Sequence, residues 1–134
     1  MPLWSTATIG GVPVQEWGSA GAGPLDAAAR ARIHERVVTA AYEIIAGKGA
    51  TSLAVGLAVS RILEAVLDDE HRVLPVTSRL DGVHGLSDVC LSMPSVVGRA
   101  GIESVLATPL SADELNQLTA SAETVRTAAR SLGL

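Results

Sequence analysis

One cysteine, Cys90, occurs in the 134 residues. A lone thiol excludes an intrachain disulfide framework and a cysteine-based zinc site. It lies between Val89 and Leu91, a setting that predicts a small buried residue. Lysine is equally scarce: Lys48 stands against nine arginines. With so many alanines alongside, that imbalance reads as nucleotide-composition bias rather than an arginine site. The net charge is −4 and the pI is near 5.2. Without an excess of cations to neutralise phosphates, nucleic acid is not expected as a partner. No run reaches the roughly 20 uninterrupted apolar residues that a membrane helix needs. Arg61 and Glu64 break the nearest candidate, so no membrane partner is expected. Met1-Pro2-Leu3-Trp4-Ser5 has neither the positive nor the apolar region of a signal peptide, and the cytoplasm is the expected location.

What is present is apolar. Hydrophobic residues make up 48% and charged residues 18%, with a mean hydropathy of +0.36. That composition excludes intrinsic disorder as the main state. The length fits one domain, and surface scaling lets about two-thirds of the unfolded chain's area be buried. The hydropathy is high for so small a domain, which points to apolar surface meant for a partner or another domain.

Local patterning predicts an α+β fold. Thr6, Thr8, Ile9, Val12 and Val14 flank Gly10-Gly11, a small hairpin within residues 3–15. Residues 16–25 read as a Gly-rich loop. Asp26 is placed to cap a helix of about 20 residues, with Ile33, Val37, Ala41 and Ile44 on one face and Gly47-Lys48-Gly49 ending it. Thr51 or Ser52 can cap a second helix running to about Asp68. This second helix is apolar nearly all round, which predicts burial in a core or between subunits. Asp68 to Arg72 is a charged, solvated turn. Val73–Leu80, Val89–Val97 and Ile102–Leu106 then read as three strands with short connections, an antiparallel meander, and Pro75 hints at an edge or a bulge. Ser111-Ala112-Asp113-Glu114 is a capping box, with Leu110 and Leu115 at the staple positions. Leu115, Leu118, Ala122, Val125, Ala129 and Leu132 continue at helical spacing. Without βαβ alternation the class is α+β, not doubly wound.

Chemistry-bearing motifs are nearly absent. There is no G-x-G-x-x-G, no phosphate-loop spacing around Lys48 and no H-E-x-x-H. His34 lies on a helix among charges, His71 in the charged turn and His84 in a glycine turn, and each reads as exposed. They share no ligand spacing, so no metal site is expected. None has a sequence-local partner for general acid–base work.

Several runs nevertheless resemble one family. Pro2-Leu3-Trp4-Ser5 through Ile9-Gly10-Gly11-Val12-Pro13-Val14 looks like the opening of the C-terminal domain of NAD-dependent L-lactate dehydrogenases, members of the lactate/malate dehydrogenase family. Ala41-Tyr42-Glu43-Ile44-Ile45 with Lys48-Gly49-Ala50-Thr51-Ser52 resembles that family's most recognisable C-terminal motif. Leu80 to Gly85, Asp88 to Pro94 and Leu110 to Leu118 continue the likeness, which covers the chain except for the loop at 18–25.

The resemblance implies reduction of pyruvate to lactate with NADH, through hydride transfer from the nicotinamide and proton donation by an aspartate-held histidine. It also implies homotetramers. In the family the catalytic histidine sits in a G-E-H-G-D-like run a few residues ahead of the position of Pro2, where this sequence has Met1. The expectation is therefore a substrate-side domain over residues 1–134, without the N-terminal Rossmann domain, the mobile loop, the catalytic aspartate or the binding arginines. No catalytic residue is expected in these residues, and His34, His71 and His84 do not match the catalytic position. The isolated chain is expected not to reduce pyruvate.

Four positions carry over. Thr51 matches the threonine that closes the pocket near the small side chain of the 2-oxo acid. Val55 matches an aliphatic residue packing on the nicotinamide ring, and Ala40 and Ala41 match small residues lining the pocket. Each also suits a purely structural role, Thr51 as a helix cap and the others as helix-packing residues. Two other readings remain open: a malate dehydrogenase domain of the same fold, and a non-catalytic module that self-associates or binds full-length subunits through the apolar helix at 52–67.

Overall fold

A computed structural model of the chain describes residues 2–17 and 25–133. Most of the loop expected at 16–25 lies outside the described residues. The elements are β1 (Thr8–Ile9), β2 (Val12–Pro13), α1 (Ala27–Lys48), α2 (Ser52–Leu67), β3 (Arg72–Arg79), β4 (Cys90–Gly98), β5 (Gly101–Val105) and α3 (Ala112–Ser131). Hairpin, two helices, meander and terminal helix follow in the order the patterning predicts. The chain divides into two compact units, Pro2–Ala58 and Val59–Leu134.

In the first unit, β1 and β2 pair antiparallel, Thr8 opposite Pro13 and Ile9 opposite Val12. Gly10 and Gly11 both have positive φ, 58° and 83°, as a two-residue turn matched to strand twist requires. Helix α1 starts where Asp26 accepts a hydrogen bond from the Ala29 N–H at 2.7 Å. It stops at Gly49, whose φ of 79° permits its N–H to close on the Ile45 carbonyl at 2.8 Å.

In the second unit the sheet order is β3-β4-β5, antiparallel throughout. Pro75 lies on β3, an edge strand, as its missing N–H suggests, while the bulge falls between Val96 and Val97. Strand alternation turns Leu91, Met93, Ser95 and Val97 to one face. There Leu80, Leu86, Val89 and Met93 form a core with Leu118 and Ala122 of α3. Ser95 is fully buried and donates to the Met93 carbonyl at 3.0 Å, so its hydroxyl is satisfied. The capping box forms as read: Glu114 N–H donates to Ser111 Oγ at 3.3 Å, and Ser111 N–H to Glu114 Oε2 at 2.8 Å. Arg126 ties α3 to the β3–β4 connection by donating to the Ser87 carbonyl at 2.7 Å.

Two expectations need correction. Cys90 is exposed. It opens β4 on the face opposite Leu91 and Met93, so alternation turns it outward despite its apolar neighbours. His84 is only partly exposed, with Nε2 buried and without a hydrogen-bond partner. Its φ of 53° and the Val83–Leu86 bridge fold the glycine turn inward. Helix α2 buries only Ala65, while Leu53, Leu57 and Leu67 are each more than 70% exposed. Its composition predicts a covering surface, and within this chain most of its apolar side chains face solvent.

Candidate functional site

The corner between α1 and α2 holds a groove of about 410 Å³ lined by Glu43, Ile44, Gly47, Lys48, Ala50, Thr51, Leu53 and Ala54. It exists because α1 cannot continue. Gly49 in the left-handed region ends α1, and Ala50 and Thr51 lead directly into α2. Gly47 and Ala50 contribute no bulk, which leaves the last turn of α1 open beside the first turn of α2. The volume lies in the range of a small-molecule pocket.

The lining is mostly apolar, with the Thr51 hydroxyl, the Lys48 ammonium and the Glu43 carboxylate as its side-chain polar groups. Such a groove can hold a small apolar group and orient it by hydrogen bonds and charge. It contains no histidine and no thiol, and its titratable side chains are Glu43 and Lys48. His34 lies ten residues before Ile44 on α1, roughly 15 Å along the helix axis.

Of the four residues expected here, Thr51 lines the groove. Ala40 is half-buried one helical turn before Ile44 and on the same face of α1. Val55 is 58% exposed, one turn after Thr51 on α2, with its N–H directed to the Thr51 carbonyl at 3.4 Å. Ala41 is exposed. Of the four, only Thr51 is part of the groove lining; Ala40, Ala41 and Val55 are not.

A second convergence was not foreseen. Asp69, His71 and Glu103 bring one ligand-type atom each to within 4.8 Å of one another. The Asp69–His71 part is visible as a local pair in the charged turn. Glu103 joins it only because β5 folds back beside β4, a contact between residues 32 positions apart that no local spacing reports. The perturbed ionisations lie elsewhere: Arg79 holds the Asp88 carboxyl below its ordinary range, and Asp88 and Glu64 raise Arg79 and Arg61, all at exposed positions.

The fold is thus a small α+β domain carrying a helix-corner groove of small-ligand size without a histidine. Residues 1–131 match the family model for the lactate/malate dehydrogenase, alpha/beta C-terminal domain, and the chain belongs to that family. It is 51% identical over 134 residues to the L-lactate dehydrogenase of Bifidobacterium animalis subsp. lactis strain AD011, covering 99% of this chain and 42% of that protein. It is 43% identical over 131 residues to the L-lactate dehydrogenase of Acetivibrio thermocellus, covering 98% of this chain and 41% of that one. It is 42% identical over 134 residues to that of Thermoanaerobacter sp. strain X514, covering 100% of this chain and 43% of that one. The chain therefore spans about two-fifths of the length of these relatives. Among the described residues no helix is long and apolar enough to cross a membrane.

Proposed function

We propose that this chain is the substrate-side portion of an NAD-dependent L-lactate dehydrogenase, which converts pyruvate and NADH to L-lactate and NAD in the cytoplasm. The observation that carries the reading is the end-to-end likeness to proteins named L-lactate dehydrogenase, including the run from Lys48 to Ser52 that shapes the groove. In this reading residues 1–134 form one substrate-side domain. The histidine acid and the dinucleotide site come from a nucleotide-binding half that these residues do not include.

The residues present fit one end of the cofactor only. Val55, exposed on α2, offers an aliphatic contact to a nicotinamide ring. No G-x-G-x-x-G run is available to hold a pyrophosphate. When bound, the cofactor supplies the hydride. This chain's own part is positioning. The β-branched Thr51 packs against the methyl end of the 2-oxo acid and orients it through its hydroxyl, while Ala40 and Ala41 leave room for it. Positioning of this kind accelerates a reaction only when the reacting groups are supplied alongside it. The isolated chain is therefore inactive.

The test has two arms. Pure chain mixed with NADH and pyruvate should show no pyruvate-dependent NADH oxidation. A chimera joining residues 1–134 to the N-terminal portion of the Bifidobacterium relative should reduce pyruvate in preference to oxaloacetate. In that chimera Thr51→Gly should raise the KM for pyruvate several-fold, because packing against the methyl end is lost. Activity of the isolated chain that disappears when one of its own residues is mutated would sink the first arm. A preference for oxaloacetate would turn the reading to malate dehydrogenase.

A second reading rests on the exposure of α2. Leu53 and Leu57, one turn apart, are 75% and 72% exposed, and apolar surface of this kind marks an association face. On this reading the chain contributes to a homotetramer, or binds subunits without catalysing anything.

A further inference from the structure

We propose that Asp69, His71 and Glu103 form a binding site for a divalent transition-metal ion of the zinc(II) type, clipping the α2–β3 turn to β5. The argument starts at the end of α2. Asp68 N–H closes on the Glu64 carbonyl at 2.9 Å, and Glu70 N–H reaches back to Ala65 at 3.0 Å across Asp69, whose φ is 54°. That left-handed residue ends the helix where glycine is usual, a conformation aspartate tolerates better than most residues. The turn presents the Asp69 carboxylate toward the β4–β5 turn, where Oδ1 accepts the Arg99 backbone N–H at 2.8 Å.

His71 follows two residues later, immediately before β3. Its Nδ1 lies 2.9 Å from the Asp69 backbone carbonyl. A carbonyl only accepts, so this hydrogen bond places a ring proton on Nδ1 and makes Nε2 the ring nitrogen open to a metal that displaces its contact with Glu103. Metal-binding histidines are commonly oriented in this way, with the second ring nitrogen donating to a carbonyl or carboxylate. Nε2 faces Glu103 Oε2 at 3.2 Å. In a tetrahedral zinc site with bonds near 2.0–2.1 Å, neighbouring ligand atoms lie about 3.3 Å apart, so this pair already has the required separation. Asp69 completes the triad, with one ligand-type atom of each residue within 4.8 Å of the others.

Gly98 is the floor of the site. Its φ is not in the left-handed region, so backbone conformation does not require glycine there. A Cβ would instead collide with Glu103 Oε1 and sit 3.1 Å from Asp69 Oδ1. The missing side chain makes the space in which the two carboxylates converge across β4. Arg99 is the nearest competing cation. Its Nε is 4.0 Å from Asp69 Oδ2 and its side chain is 74% exposed, so it leaves the carboxylate accessible. One imidazole with two carboxylates favours zinc(II) and its first-row neighbours over magnesium or calcium, whose sites are built from oxygen. Water completes the coordination on the exposed side.

The test is calorimetric titration of the chelator-treated chain with zinc(II) chloride in a non-coordinating buffer, with circular dichroism checking the fold of each variant. The unaltered chain should bind one ion with micromolar affinity. His71→Gln and Glu103→Gln should each weaken binding at least tenfold. Gly98→Ala, which keeps every ligand and fills the floor, should weaken it as well, and His34→Gln should leave it unchanged. If His71→Gln fails to fold, Glu103→Gln decides. Binding only at millimolar zinc(II), or an unchanged affinity in Glu103→Gln, overturns the proposal. Cobalt(II) added to the unaltered chain gives a second reading: visible absorption of a low-symmetry cobalt site supports it, and the spectrum of aquated cobalt overturns it.

Discussion

Asp88 stands where the connection from β3 enters β4, at φ 56°, with its N–H on the Leu80 carbonyl at 3.1 Å and its carboxylate on the Arg79 guanidinium. The hydrogen bond and charge of Arg79 hold its carboxyl below the usual range. A depressed carboxyl contributes stability that is complete above the unfolded value, about 3.9, and is lost as pH falls through the folded value. Both side chains are 75% exposed, so the contribution is small and screened by salt. Asp88→Asn keeps a residue that tolerates the left-handed region and removes the charge. We expect urea midpoints to fall less between neutral pH and about pH 2 in this variant than in the unaltered chain. An identical fall would assign the acid sensitivity to other carboxylates. This scale is where sequence reading was weakest. The apolar neighbours of Cys90 predicted burial, and its register on β4 turned it outward. The glycine turn predicts an exposed His84, and its Nε2 is buried. Both errors have one cause: the face a side chain takes is set by pairing, which single positions do not encode.

At the scale of elements the sequence was far more legible, because caps and periodicity are local chemistry. Asp26, Gly49 and the Ser111–Glu114 box all act where their residue types place them. Ser111→Ala removes the acceptor for the Glu114 N–H and should cost about 1 kcal/mol, read as a shift in the urea midpoint without a change in slope. The apolar stripe of α3 was also legible, though not its depth. Leu118 and Ala122 enter the core, whereas Leu115 and Val125 stay more than a third exposed. Leu118→Ala should therefore cost about 2–5 kcal/mol, while Val125→Ala should cost clearly less, since little transfer from water is lost there. Equal losses at the two positions would mean that Val125 meets a partner in solution. The groove was legible only in part. Thr51 lines it, but the break at Gly49 beside it follows from a backbone angle rather than from any binding motif.

At the scale of the whole molecule, α2 decides the outcome. Its composition predicts burial in a core or between subunits, and within this chain only Ala65 is buried while Leu53, Leu57, Leu63 and Leu67 are at least half exposed. Helix α1 buries no residue, with Val37 and Tyr42 at least 70% exposed. In proteins, packing of the apolar face rather than helix propensity supplies most of a helix's stability. A chain that matches about two-fifths of its relatives' length accordingly leaves room for a large covering surface. We expect the pure chain to self-associate in sedimentation velocity, with the larger species growing as concentration rises. Leu57→Asp, placing a charge on an exposed apolar position of α2, should shift the distribution toward monomer without loss of helical circular dichroism. Mixed with the full-length Bifidobacterium L-lactate dehydrogenase, the unaltered chain should co-sediment with it and Leu57→Asp should not. A clean monomer at all concentrations that ignores the added enzyme would remove association from its functions and leave α2 stabilised by its own residues. Reversible association lost in Leu57→Asp would identify α2 as the face through which this domain meets the rest of its assembly.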